Sequence, residues 1–244
     1  MKRFGVGARR VLVVGVALLS AASVTSLASA ATNAIQNGGF ETGNMAGWGH
    51  APGHPGAVGH GWFVYSGDLS PLSGLPIPTP PDGTYAAVAD QTGPGGNVLF
   101  QTFRVPDNGM LALTLWYENR AEVFFSPRML VPGAARNQQV RIDLTLPNAG
   151  LYSLKSHDVL ANVFRTRPGD PASLAPTVVQ FDLSPWAGRL VRLRIAEVDN
   201  QFFFNVGVDA VSVTGDNITR PITLRGAQAT HAPKQAAAKP YVRH

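Results

Sequence analysis

Strict alternation of apolar and polar side chains is the feature that most constrains how this chain folds. In residues 140–146 every second side chain is apolar, and the same period recurs in 111–118, 179–183 and 191–196. A period of two with one apolar face indicates β-strands that pack one face on a core and leave the other in water. Further strand candidates are 62–65, 85–89, 98–105, 159–164 and 208–214.

Turn-forming residues separate these strand candidates, for example at 76–83, 93–96, 106–109 and 147–150. The 26 glycines and 19 prolines of the 244-residue chain suit such a fold, and no amphipathic helix longer than two turns is evident. Nine or ten strands with turns of this kind predict a two-sheet sandwich or a barrel. Their even spread predicts one domain over residues 31–215.

The first thirty residues have the pattern of a secretory signal peptide. Four cationic residues precede an uncharged apolar stretch at 11–22, and Ala28-Ser29-Ala30 offers small residues to a signal peptidase. The apolar stretch is short for a membrane anchor, which needs about 20 residues. We therefore expect cleavage after Ala30, no anchor in the mature chain, and a secreted, extracellular protein.

The chain has no cysteine, which excludes a disulfide scaffold and a cysteine-ligated zinc site. Its formal charge of +5 comes from the two ends, because residues 31–215 hold 11 cationic and 14 acidic side chains. A nucleic-acid-binding domain concentrates positive charge on its fold, so no nucleic acid partner is expected. Residues 216–244 are interpreted as a basic flexible tail, with a weak hold on an anionic wall polymer as the alternative.

Two short motifs stand at the ends of the strand-rich region. The first is N-G-G-F-E at 37–41, followed by Gly47-Trp48, and the second is G-V-D-A-V-S-V at 207–213. They resemble the opening and the last strand of galactose-binding-like jelly rolls, notably bacterial carbohydrate-binding modules. The resemblance covers residues 35–214 and extends to secreted bacterial proteins that are mostly uncharacterised. It implies an all-β jelly-roll β-sandwich and binding of a glycan or cell-wall polysaccharide.

Two acidic residues within these motifs suggest a metal site. Asp209 has the parity of the valines that follow it, so its carboxylate points inward if theirs is the core face, and an unpaired buried charge is costly. Calcium binds such acids through about six to eight oxygens, including backbone carbonyls. The resemblance also implies a structural calcium, with Glu41 and Asp209 as its ligands. Asp82 and Gly83 are further candidate oxygen ligands that the resemblance does not supply. Alternatively, Asp209 pairs with an arginine or accepts backbone N–H groups.

The polar positions of three alternating strands supply a candidate glycan-binding face. An exposed tryptophan ring stacks on the C–H face of a sugar, and charged groups bond its hydroxyls. The alternative is that the charged residues form ordinary cross-strand pairs. The candidate ligand-binding residues are Trp116, Glu118, Arg141, Asp143, Arg192 and Arg194.

Two further groups of side chains bear on ligand binding. His50, His54 and His60 could bind zinc or copper, but the prolines and glycines between them set no geometry, so incidental histidines are favoured. The run Phe202-Phe203-Phe204 cannot face one side of a strand. At least one of these rings is expected to be exposed as a possible contact point.

Carbohydrate binding without catalysis is the favoured function, and two alternatives remain. A glycan-active enzyme would need two acidic residues, but nothing in the sequence pairs the candidates, and no G-x-S-x-G, H-E-x-x-H or P-loop motif is present. A structural surface protein without a small ligand is the other alternative. The carboxylates available for catalysis are Glu118, Glu122, Asp143, Glu197 and Asp199.

We predict that the secreted protein begins at Ala31. The small residues before this position fit the cleavage specificity of a signal peptidase. N-terminal sequencing of protein recovered from the medium should read Ala31-Thr32-Asn33. Recovery of an intact N-terminus held in the membrane would contradict the prediction.

Overall fold

The computed structural model describes residues 33–52, 59–121, 130 and 135–217. The predicted signal peptide, His54, Glu122 and nearly all of the basic tail lie outside these residues. The described part contains ten strands and one 3-10 helix, Ser184–Trp186, and no helix there is long and apolar enough to cross a membrane. The strands are β1 (Gly49–Pro52), β2 (His60–Tyr65), β3 (Ala86–Gln91), β4 (Gly95–Arg104), β5 (Asp107–Asn119), β6 (Gln139–Thr145), β7 (Val159–Arg165), β8 (Ser173–Asp182), β9 (Leu190–Asp199) and β10 (Phe204–Asp216).

The strands form two antiparallel five-stranded sheets. Sheet one has the order β1-β4-β9-β6-β7, and sheet two has the order β2-β3-β10-β5-β8. The eight strands from β3 onward pair as β4-β9-β6-β7 and β3-β10-β5-β8, which is the strand order of a jelly roll. The prediction of an all-β jelly-roll β-sandwich is therefore confirmed.

The nine strands β2 to β10 correspond to the four alternating regions and the five further strand candidates of the sequence. The strand that the sequence did not reveal is β1, which is four residues long and contains both glycine and proline. Its structure depends on pairing with β4, where Gly49 lies opposite Phe100. The Phe100 ring leaves no room for a Cβ at Gly49, so this glycine permits the close approach of the two strands.

The core lies between the inner faces of the two sheets. Alternate residues of β5 and β9, the strands that lie fourth and third in their sheets, are fully or almost fully buried there, as the sequence predicted. Each buried Leu, Ile or Val side chain contributes about 1.5–3 kcal/mol relative to exposure. The inward side chains of these two strands include Leu111, Leu113, Leu115, Tyr117, Val191, Leu193 and Ile195.

A β-bulge in β10 changes which way Asp209 points. The pairing register with β5 shifts between Asp209 and Ser212, and Ala210 has a φ of 49°. Val208 before the bulge and Val211 after it both pack in the core, because the bulge inserts an extra residue and resets the alternation. The prediction that Asp209 shares the core face of the following valines is therefore wrong, and its carboxylate lies on the outer side of sheet two.

The outer face of sheet two is partly covered by the segment between β2 and β3. Ile77 of this segment packs with Tyr65 and Trp116 in a second buried cluster. A Cβ at Gly207 would overlap the Trp116 indole, so the glycine lets the ring lie directly on β10. The cover explains how an outward-pointing tryptophan is removed from water.

Candidate functional site

The outer face of sheet one carries a closed ionic network around Asp143. Arg141 Nε and Nη2 each donate to this carboxylate at 2.7 Å, and Arg194 Nη2 donates at 2.6 Å. Asp143 and Arg194 are both almost fully buried. Burial alone would raise the pKa of Asp143, but the two guanidinium groups hold it below its usual value. These groups satisfy one another, as the alternative of cross-strand pairing predicts.

The two arginines of β9 also form hydrogen bonds with the loop between β6 and β7, which lies over this face. Arg194 Nη1 donates to the carbonyl oxygens of Leu151 and Ser153, at 2.9 and 2.7 Å. Arg192 donates to the carbonyl oxygen of Ala149 at 2.8 Å and also to that of Pro147. Both arginines therefore hold the loop between β6 and β7, which is a structural role.

The six candidate ligand-binding residues do not form one surface. Trp116 and Glu118 are on β5 of sheet two, whereas the arginines and Asp143 are on β6 and β9 of sheet one. The predicted exposure of Trp116 is wrong, because the side chain is 0% exposed beneath the cover that includes Ile77. Alternation correctly placed Trp116 on the outer face of β5. However, alternation identifies the face of a strand and not what lies over that face.

The structure does bring Glu41 and Asp209 to one turn. Glu41 accepts backbone N–H groups from Thr84 and Tyr85 at 3.1 Å, and Asp209 accepts that of Asp82 at 2.9 Å. Burial, with added repulsion from Asp82 and Glu41, raises the pKa of Asp209 to about 6. A second backbone N–H, from Ala210, reaches Asp209 at 2.7 Å. The sequence left open whether Asp209 pairs with an arginine or accepts backbone N–H groups, and the structure shows the second of these.

The turn brings together two carboxylates, which are oxygen donors of the kind that calcium binds. Among the described residues, no lysine or arginine forms an ion pair with Glu41 or Asp209. No group of three or more His, Asp or Glu side chains in that part of the chain could hold a metal. A calcium ion at the turn would therefore need backbone carbonyl oxygens in addition to the two carboxylates. The same finding leaves His50 and His60 without a metal cluster in the described region.

A cavity of about 220 Å³ opens at one end of the sandwich, where β3 and β9 end and where β4 and β10 begin. We call it the rim cavity. Its Phe202 ring is 49% exposed and packs edge-on against Phe203, with ring centres 5.0 Å apart. The predicted exposure of one ring of the phenylalanine run is therefore confirmed. The lining residues are Gln91, Thr92, Gly93, Pro94, Asp199, Asn200, Gln201, Phe202 and Phe203.

One acidic side chain of β9, Asp199, lines this cavity, and a second, Glu197, precedes it by two residues on the same strand. Glu197 is 0% exposed and accepts the Asn97 amide at 2.9 Å, while Asp199 accepts the Gly95 N–H at 3.1 Å. Burial raises the pKa of Asp199 to about 8. Burial, followed by the charge of Asp199, raises the pKa of Glu197 well above its usual value. We call these two residues the buried acid pair.

Sequence reasoning named these acids only among carboxylates available for catalysis. The alternation of β9 does indicate that both acids point inward. Val191, Leu193 and Ile195 mark the inner face of the strand, and the same period continues to Glu197 and Asp199. No sequence pattern indicates that residues 91–95 lie beside residues 199–203, since their proximity depends on the pairing of β4 with β9.

Comparisons with known proteins give a likeness in fold only. No model of a protein family and no curated protein sequence matches this chain. Similar solved structures include the carbohydrate-binding module TmCBM61 in complex with β-1,4-galactotriose, with 11% identity and a TM-score of 0.45 over 75% of this chain and 97% of that one. The K3 cleaved adhesin domain of the Lys-gingipain of Porphyromonas gingivalis has 12% identity and a TM-score of 0.45 over 74% and 98%. The Stig cyclase Fisc from Fischerella has 18% identity and a TM-score of 0.42 over 75% and 96%.

Replacing Asp143 with alanine is expected to destabilise the fold by about 3–5 kcal/mol, because it leaves two arginines without their shared buried anion. In the wild type, the contribution of the Asp143 carboxylate to the free energy of unfolding is full above its unfolded pKa of about 4. It is lost as the pH falls through the lower folded pKa. Urea denaturation at pH 7 and at lower pH measures both effects. Asp182→Asn, at an exposed position, is the control, and an equally small effect of both substitutions would contradict the prediction.

Proposed function

We propose that this protein is a secreted, non-catalytic carbohydrate-binding protein whose ligand site is the rim cavity. The single observation that carries the proposal is an exposed Phe202 ring beside a concave set of amide and carboxyl groups. Sugars present both apolar C–H faces and hydroxyl groups, so they are bound by this combination of an aromatic ring with hydrogen-bonding side chains. The resemblance of the end motifs to bacterial carbohydrate-binding modules supports the same function.

The cavity favours an uncharged sugar over an acidic one. None of its nine lining residues is cationic, so the carboxylate of a uronic acid would find no opposite charge there. Asp199 lies in the lining, and its raised pKa indicates that this position already disfavours a negative charge. The volume of about 220 Å³ is below the usual 300–1,000 Å³ of drug-sized pockets, so one sugar ring would enter while the rest of the glycan stays outside.

We also propose that a calcium ion bound by Glu41 and Asp209 stabilises the fold. The proposal is supported by the convergence of the two carboxylates on residues 82–85 and by the raised pKa of Asp209, which a cation would reverse. Such an ion would join the first described turn, the segment before β3, and β10. Its role would be structural, because the turn does not line the rim cavity.

Chelation of calcium is therefore expected to lower the melting temperature of the mature protein, since a ligand bound only by the native state stabilises by mass action. Calorimetry with calcium and with EDTA measures the response. Asp209→Asn and Glu41→Gln should abolish it, whereas Asp182→Asn should retain it. Identical melting of the wild type in both conditions would show that the calcium proposal is wrong.

The binding proposal predicts a weak but specific interaction with an uncharged glycan. Contacts of this kind are few and hydrated, so we expect a Kd of about 10 μM to 1 mM. A glycan array that includes neutral and acidic sugars identifies the ligand. Phe202→Ala should then weaken binding by about 1–3 kcal/mol in calorimetry, as truncation of an aromatic anchor does, with little change in the melting temperature.

Leu69→Ala is the matched control for Phe202→Ala, because Leu69 is 55% exposed and lies outside the cavity. It should leave glycan binding unchanged. Equal effects of the two substitutions would place the binding site elsewhere. Failure of every glycan to bind would favour the structural surface protein, and release of reducing ends by the purified domain would favour an enzyme.

A further inference from the structure

The inner face of β9 changes from apolar to acidic towards the rim cavity. Glu197 and Asp199 follow Ile195 on this face, and residues two apart on a strand lie about 7 Å from each other with their side chains on the same side. Glu197 is 0% exposed and Asp199 is 2% exposed. Two carboxyl groups are thus held side by side between the sheets, away from water.

Among the described residues, neither acid of this pair, Glu197 or Asp199, forms an ion pair with a lysine or arginine. His60 of β2 reaches the pair only through Asn97 of β4, whose Oδ1 lies 2.9 Å from the histidine Nδ1. The remaining charged neighbour is Asp90 of β3, which is acidic as well and adds repulsion.

Hydrogen bonds compensate the pair only in part, since Asp199 accepts the Gly95 N–H but burial outweighs this bond. One oxygen of Glu197, Oε1, is buried and has no hydrogen-bond partner in the described structure. Asp90 provides the contrast, because its carboxylate accepts five donors from Leu72, Ser73, Gln91 and Asn205. An ionised carboxylate in the interior needs such a set of donors, and without them it takes up a proton.

We propose that Glu197 and Asp199 form a proton-binding site at neutral pH, and that loss of the proton at alkaline pH destabilises the end of the sandwich that carries the rim cavity. Two adjacent anions would then repel each other between β4 and β9, which pair from Gly95–Asp199 onward at this end. Asp199 lines the cavity, so the cavity would change its shape and charge together with the fold.

The sign of the effect follows from the raised pKa values of both acids. Unfolded aspartate and glutamate titrate near pH 4, so between about pH 4 and pH 8 the folded state binds more protons than the unfolded state. The stabilisation is full below about pH 4 and is lost as the pH rises through the folded value of about 8 for Asp199.

The test compares unfolding free energies from pH 5 to pH 9 in the wild type, Asp199→Asn and Glu197→Gln. The amide variants keep the shape of a protonated acid but cannot ionise. Wild-type stability should fall with a slope of about two protons, because both acids hold a proton in the folded state and neither does in the unfolded state. Each variant should have a smaller slope, of about one proton, and exceed the wild type above pH 8. Asp182→Asn is the control, since it removes an acid at an exposed position away from the pair and should leave the slope intact.

Infrared spectroscopy at pH 7 reads the proton directly. The wild type should show the C=O stretch of a buried protonated carboxyl group, and Asp199→Asn or Glu197→Gln should weaken or remove it. This measurement on the wild type decides the question even where one variant fails to fold. Absence of the band, or equal pH slopes in the wild type and Asp199→Asn, would overturn the proposal.

Two further outcomes separate this proposal from others. If calcium raises the melting temperature of the wild type and of Glu41→Gln but not of Asp199→Asn, a metal ion rather than a proton occupies the pair, and the proposal is wrong. The stability and infrared measurements contain no glycan. They therefore decide on the proton site even if no sugar binds, and failure of the proton site would leave the glycan proposal standing.

Discussion

The packing of two alternating inner faces against each other is the constraint on which the rest of the structure depends. The side chains of β5 and β9 alternate strictly, and a slip of one residue in either strand would turn its whole apolar set towards solvent. This packing fixes the register of the strands beside them. It also fixes what lies at the strand ends, since the period that buries Ile195 carries Glu197 and Asp199 inward as well.

The sequence was sufficient for the strands and their faces because these depend on local periodicity. It did not predict which outer faces are covered, and the error at Trp116 has this cause. The cover of sheet two comes from residues 66–85, and that of sheet one from the loop between β6 and β7. Neither segment has a period that indicates its position. The bulge at Asp209 was missed for a similar reason, because a single residue in a left-handed conformation leaves little trace in the alternation.

The two covered faces explain why we place the ligand site at the end of the sandwich. On sheet one, Arg192 and Arg194 are engaged by backbone carbonyls and by Asp143, so the charges that suggested sugar binding serve the fold. At the rim, by contrast, the Phe202 ring is exposed at a concave surface. The buried acid pair lies directly behind that surface, where a proton would keep its interior side uncharged at neutral pH.

The central claim is that the rim cavity binds the glycan. The most direct test is NMR chemical-shift mapping of the isotope-labelled mature protein during titration with an oligosaccharide identified on the array. The account predicts that the shifted backbone amides cluster in residues 91–95 and 199–203. Shifts confined to β6 and the outer face of β9, or spread over the 82–85 turn without the cavity, would contradict it.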